Sequence, residues 1–210
     1  MGIQLYYLIS FAIIIFSILI FIVSFERKMP NAKEVTILSA MTAFAILARI
    51  MFFMTPQIKP SAAIIIIIGI GLGKEAGFLS GGIMAFVSDL FFGQGPWTPP
   101  QMIAFGILGF LAGVLFNRED FDIKSKKNKI LVALYGFFST FIIYGLIMDT
   151  QTLLSTMKEF EKSAALAIYG SGVFFNFVHG ASTFLFLWIL EVPILKKIKR
   201  IRFKYNIFNN

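Results

Sequence analysis

Asp89-Leu90-Phe91-Phe92-Gly93-Gln94-Gly95-Pro96-Trp97-Thr98-Pro99-Pro100-Gln101 separates two apolar runs. Ala76 to Phe92 precedes the break with one charge, Asp89, near its end, and Met102 to Phe116 follows it with none. Such runs approach the roughly 20 residues that carry a helix across a ~30 Å hydrocarbon core. Gly93, Gly95 and the three prolines argue against helix through the stretch itself. It still offers an acid, two amides, an indole and a hydroxyl, more chemistry than a connector between spans needs. We read it as one wall of a binding site at the outer face of a membrane protein.

Composition agrees with the spans. Of 210 residues 58% are hydrophobic and 14% charged, too little polar surface for a soluble globule. A span must satisfy its backbone internally, so helices are expected and the fold class is an all-α polytopic membrane protein. There is no cysteine and a single histidine. Disulfides, thiolate chemistry and Cys- or multi-His metal sites are therefore excluded, and no metal or cofactor is expected.

Outward from the opening stretch, the remaining spans fall into place. Ile3 to Val23 is apolar, has no basic residue before it, and is followed by Glu26, Arg27 and Lys28. A secretory signal has the opposite charge order, so this is read as a retained extra transmembrane helix. Val35 to Phe53 is the next span, followed by a Thr55–Pro60 turn and a short apolar run, Ser61 to Leu72. After Met102 to Phe116 come Ile130 to Met148 and, last, about Ala164 to Leu190. Between these last two, residues 149–163 carry Leu153, Leu154, Met157 and Phe160 at helical spacing. That pattern suggests a surface helix over the outer mouth, or one resting on headgroups. The chain thus divides into 1–30 (extra helix and connector), 31–195 (six-helix core) and 196–210 (basic tail).

The net charge of +8 is informative through its placement. One topology puts 15 of the 19 Lys and Arg residues on one side, in segments 26–34, 73–75, 117–129 and 196–204. The positive-inside rule makes that side cytoplasmic, with the N-terminus outside and the C-terminus inside. Nothing calls for nucleic acid.

Polar groups within spans are expensive and each needs a reason. Arg49 and Asp89 lie toward the outer ends of their helices and either pair or face a ligand. Tyr169, Gly172, Asn176, His179 and Thr183 share one face of the last span, while Gly136, Thr140 and Tyr144 share one on the span before, with Asp149 beyond. Such stripes serve interhelix hydrogen bonds or a site. Depth favours a site for Asp149 and Tyr169, and packing for His179. The pairs Ser39/Ala43, Gly77/Gly81 and Gly109/Gly113 permit close helix approach. Gly69-Ile70-Gly71-Leu72-Gly73-Lys74 lacks the phosphate-loop spacing. No enzyme is indicated: His179 and Ser182 lack an orienting carboxylate, and Asp89 with Asp149 lacks the flanks of a two-aspartate protease.

Phe92-Gly93-Gln94-Gly95-Pro96-Trp97-Thr98-Pro99-Pro100-Gln101-Met102, continued by Gly106 to Gly113, resembles the substrate-binding S components of energy-coupling factor (ECF) transporters. The branch associated with cobalamin uptake is the most similar. The likeness extends through Phe25-Glu26-Arg27, Lys59-Pro60 and Gly73-Lys74-Glu75-Ala76-Gly77 to the basic tail, with departures at Asp89 and Pro100. It implies a six-helix core in a bacterial plasma membrane that binds a vitamin-like molecule at the outer face. It also implies a transmembrane coupling subunit and two cytoplasmic ATPase subunits as partners, with Ser39 and Ala43 presented to the coupling subunit. On this reading the ligand-binding residues are Arg49, Lys59, Asp89, Gln94, Trp97, Thr98, Gln101, Tyr144, Asp149, Tyr169 and Asn176. Trp97 stacks on a flat ligand, while Gln94, Thr98 and Gln101 hydrogen-bond to it. Cobalamin is the first candidate, with a smaller vitamin or nucleobase-like metabolite as alternative. Outside the class, the alternative is a self-sufficient secondary transporter with Arg49 and Asp89 in ion or proton coupling.

Overall fold

The computed structural model describes residues 32–118, 121–122, 124–156, 161–205 and 207, together with Ile15, Leu19 and Val23. The expected extra N-terminal span lies, apart from those three residues, outside the described residues. All regular structure among the described residues is helical, and five helices are long and apolar enough to cross a membrane. They are α1 (Ala32–Met51), α3 (Lys74–Phe92), α4 (Thr98–Phe116), the continuous Lys126–Thr156 rod and α7 (Lys162–Tyr205). The rod comprises α5 (Lys126–Phe138), a π-helical segment (Ser139–Tyr144) and α6 (Gly145–Thr156). With the short α2 (Ser61–Leu72) these make the expected six-helix core.

Helix α2 is the axis of the bundle. Its sequence has no polar face, so only burial on every side suits it, and all of its residues from Ser61 to Leu72 are buried. Helices α1, α3, α4 and α7 pack around it. Gly73, at φ 105°, both ends α2 and starts α3, a backbone state that a side chain would strain. Close approach follows from small residues: Gly69, Gly77 and Gly109 meet where α2, α3 and α4 cross. The apolar residues left exposed, such as Leu47, Ile83, Phe86, Phe138 and Phe174, form the outward surface that a bilayer would cover.

Several boundaries differ from the sequence reading. Helix α4 starts at Thr98 rather than near Met102, because Pro99 and Pro100 occupy its first turn. There an N–H has no intrahelical acceptor, so proline loses nothing. Residues 149–156 do not form a separate surface helix; they continue the rod for two further turns. The helix accommodates their hydroxyls: Thr150 donates to the Leu146 carbonyl (2.6 Å), Thr152 to Met148 (3.0 Å) and Thr156 to Thr152 (2.7 Å). Each of these three hydroxyls is thus satisfied inside the helix. The rest of that expected surface helix, 157–160, lies outside the described residues.

The basic segment after Leu195 is likewise helical, not a loose tail. Helix α7 passes through Pro193 and continues to Tyr205 because this part still has a core face, with Leu195 and Ile198 buried. Arg202 Nη1 donates to the Gly71 carbonyl at 3.0 Å, and the Lys33 ammonium lies 5.3 Å from the Tyr205 ring centroid. These contacts bring the start of α1, the α2–α3 junction and the end of α7 to one end of the bundle, the basic end. The Thr55–Pro60 turn and the Gly93–Trp97 loop occupy the opposite end. Glu191 of α7 is fully buried, and neither carboxylate oxygen has a hydrogen-bond partner among the described residues.

Candidate functional site

At the end opposite the basic one, α1 delivers Arg49 into the bundle, 6% exposed. Its Nη1 donates to Asp89 Oδ1 at 2.9 Å, to the Ala85 carbonyl at 3.4 Å and to the Ser88 hydroxyl. Its Nη2 donates to Gln101 Oε1 at 2.8 Å. The other Asp89 oxygen accepts the Thr98 hydroxyl at 2.8 Å, and Gln101 Nε2 donates to Tyr144 OH at 2.7 Å. Five of the residues read from sequence are therefore one buried network: Arg49, Asp89, Thr98, Gln101 and Tyr144. It ties α1, α3, α4 and the π-helical segment together. Both Asp89 oxygens are used within it, so the Arg49–Asp89 pair is an internal one.

The charge is cushioned by aromatic faces. The Arg49 guanidinium lies 4.9 Å from the Phe92 centroid and 5.6 Å from that of Phe105. Lys59 Nζ lies over the same Phe92 ring, also at 4.9 Å. The Lys59 backbone is fixed from α7: its N–H donates to the Ser182 hydroxyl at 3.1 Å, which in turn donates to the Lys59 carbonyl at 3.4 Å. Burial first, and then the neighbouring Arg49 charge, lower the Lys59 pKa from its usual value.

A second polar cluster joins α6 to α7. Asn176 Nδ2 donates to Asp149 Oδ2 at 2.8 Å, and the Thr150 and Tyr169 hydroxyls are 2.9 Å apart. Two glycines make the room. A Cβ on Gly172 would lie 2.5 Å from the Asp149 carboxylate, and one on Gly145 would lie 2.6 Å from the Asn176 amide. Asp149, Tyr169 and Asn176 are thus neighbours, as the polar stripe suggested.

The loop residues stand apart from both clusters. Gln94 is exposed and donates to the Phe86 carbonyl at 2.9 Å. Trp97 is 40% exposed and its ring covers Gly95, where a Cβ would lie 2.4 Å from it. Ser39 and Ala43 are exposed on α1, on the face carrying Phe44 and Leu47.

Sequence reasoning passed over three residues here. Ser88 gave no signal beyond adjoining Asp89. Ser182 was weighed only as a nucleophile, and its role is to hold Lys59. His179 was in the stripe but assigned to packing. It does pack, edge-on to Tyr144 (4.7 Å) and Phe105 (6.3 Å), yet its Nδ1 is buried with no hydrogen-bond partner among the described residues.

The sequence of residues 29–200 is matched by the model of the family described as ECF-type riboflavin transporter, S component. The chain belongs to this family. The S-component match runs from just before α1 into the basic part of α7, so it includes both polar clusters. Among curated proteins, a UPF0397 protein of Aliivibrio fischeri strain MJ11 is 29% identical over 106 residues, 49% of this chain and 57% of the relative. A UPF0397 protein of Aliivibrio salmonicida strain LFI1238 is 27% identical over 124 residues, 57% of this chain and 67% of the relative. The chain spans 57% of the length of the A. fischeri relative it matches. No solved structure gives a significant match. As a member of this family, with five helices able to cross a membrane among the described residues, the chain is a multi-pass membrane protein.

Proposed function

We propose that this S component captures a vitamin-type small molecule at the outer face and delivers it through an ECF coupling subunit powered by separate ATPases. The match of residues 29–200 to the family carries this reading. The charge distribution supports the orientation, because the end bearing Lys124, Lys126, Lys127, Lys196, Lys197 and Lys199 suits the cytoplasm. The two polar clusters then lie toward the outside.

In this reading Asp149, Asn176 and Tyr169 offer hydrogen bonds to the ligand from α6 and α7, and Lys59 offers a charge. Gln94 and Trp97 form the rim. Thr98, Gln101, Tyr144, Arg49 and Asp89 form a rigid floor. Riboflavin, named in the family description, is the first ligand to test. Cobalamin, suggested by the Gly93–Pro99 run, gains no support from the family match and stands second. Mass spectrometry of small molecules co-purifying with the solubilised chain would decide between them. The secondary-transporter alternative is disfavoured because Arg49 and Asp89 already satisfy one another. Ion-gradient-driven, ATP-independent uptake by vesicles containing only this chain would sink the S-component mechanism.

Two substitutions test the parts. Trp97→Ala should weaken ligand binding about tenfold, ~1.4 kcal/mol, with unchanged thermal stability; unaltered affinity would remove Trp97 from the rim. Ser39→Trp or Ala43→Trp should abolish uptake by the assembled transporter while the isolated chain still binds ligand. Uptake at the normal rate would mean that this face of α1 does not meet the coupling subunit.

A further inference from the structure

The positive charge around Lys59 is not balanced. Arg49 has Asp89, but Lys59 meets only the face of Phe92, and no ion pair to it is found among the described residues. Helix α2 starts two residues later, at Ser61, with Pro60 as its N-cap and no side-chain cap. The first backbone bond there runs from the Ile64 N–H to the Pro60 carbonyl at 3.0 Å. The N–H groups of Ser61, Ala62 and Ala63 therefore have no intrahelical acceptor, and all three residues are fully buried. The Ser61 hydroxyl is also buried and without a partner among the described residues.

Helix α7 adds a third group. His179 stands one turn before Ser182, which grips the Lys59 backbone on both sides. Both Lys59 and Arg49 are close enough to act electrostatically on the imidazole, whose Nδ1 is the unpartnered atom. A half-buried ammonium, an uncapped helix start, an orphaned hydroxyl and an orphaned ring nitrogen share a requirement. Each is completed by a negatively charged oxygen, the imidazole in the tautomer that carries its proton on Nδ1. The carboxylates of the two polar clusters are already engaged, Asp89 by Arg49 and Thr98, and Asp149 by Asn176.

We propose that Lys59, Ser61, His179 and the start of α2 form a subsite for one anionic group of the captured molecule, a phosphate or a carboxylate. The subsite rests on the reading that this end of the bundle captures the ligand. Lys59 supplies the counter-charge, Ser61 and the α2 N–H groups donate to the anion's oxygens, and His179 fixes its orientation. The form captured then carries an anionic group, as a phosphate ester of riboflavin does and free riboflavin does not.

The test uses the full chain in nanodiscs of uncharged lipid, with inorganic phosphate and acetate as probes against sodium chloride at equal ionic strength. Thermal unfolding and acylation of Lys59, read by mass spectrometry, are followed together. At least one probe is expected to raise the Tm and to slow Lys59 acylation fivefold or more. A phosphate response alone assigns a phosphate, an acetate response alone a carboxylate, and both together an oxyanion of either kind. Lys59→Gln should remove the Tm response, Ser61→Ala should reduce it, and Lys59→Arg should retain it. No response to either probe, or one unchanged in Lys59→Gln, overturns the subsite. These readouts need neither coupling subunit nor ATPase, so failure of the S-component mechanism would leave them intact.

Discussion

Arg49→Met is expected to lower the stability of the chain by about 3–5 kcal/mol, the usual cost of removing one partner of a buried ion pair. The substitution strands Asp89, which is 1% exposed, and leaves Gln101 Oε1 without its donor. The Thr98 hydroxyl alone cannot balance a carboxylate in such surroundings. Because the network joins four helices, the loss should appear as a large fall in Tm and not as local fraying. Arg49→Met/Asp89→Leu should recover at least half of it, since an apolar pair avoids the desolvation that the ion pair has to offset. A single substitution costing under about 1 kcal/mol would mean that water reaches Asp89, and the pair would then count as a surface salt bridge.

Gly109→Ala is the second large effect. The added methyl would lie 2.4 Å from the Gly77 carbonyl oxygen and 2.6 Å from the Gly77 carbonyl carbon. Both are backbone atoms, so no rotamer change relieves the clash, and α3 and α4 must separate. We expect a loss above the 1–3 kcal/mol typical of overpacking, with little monodisperse protein recovered. Gly82→Ala is the control on the same pair of helices. Its nearest neighbour would be the Met102 carbonyl at 3.9 Å, ordinary contact distance. There the gain in helix propensity, up to about 1 kcal/mol, should leave stability equal or higher. Equal tolerance at positions 82 and 109 would refute the crossing geometry.

How much of this was readable from sequence depended on the kind of interaction. The spans were legible because bilayer thickness sets a length that apolar runs must match, and α2 and α3 fell within two residues of their expected bounds. The Gly77 and Gly109 pairs were recognised as packing devices. That Gly69 completes their crossing was not, because Gly69 had been weighed within a phosphate-loop pattern. Asp89 and Arg49 were seen as either a pair or a site. Choosing between them required knowing that Thr98 and Gln101 turn inward, which followed only once Pro99 and Pro100 were placed inside a helix. The hidden value of His179 and Ser61 was illegible for a simpler reason. A sequence shows that a polar group exists, but only coordinates show that it has no partner.

Helix α2 also bears on how the chain is made. Its 12 residues extend about 18 Å, well short of a ~30 Å hydrocarbon core, and none is left to touch lipid. Alone in a membrane it would hold Lys59 and Lys74 too close together for both to reach water. The helices that bury it are synthesised largely after it, α4 from residue 98 and α7 from residue 162. During biogenesis α2 therefore enters as half of a hairpin with α3 and waits, under-spanning, for neighbours still on the ribosome. Its isoleucines are sealed only when α7 arrives, so a helix translated well after α2 closes the core that α2 began.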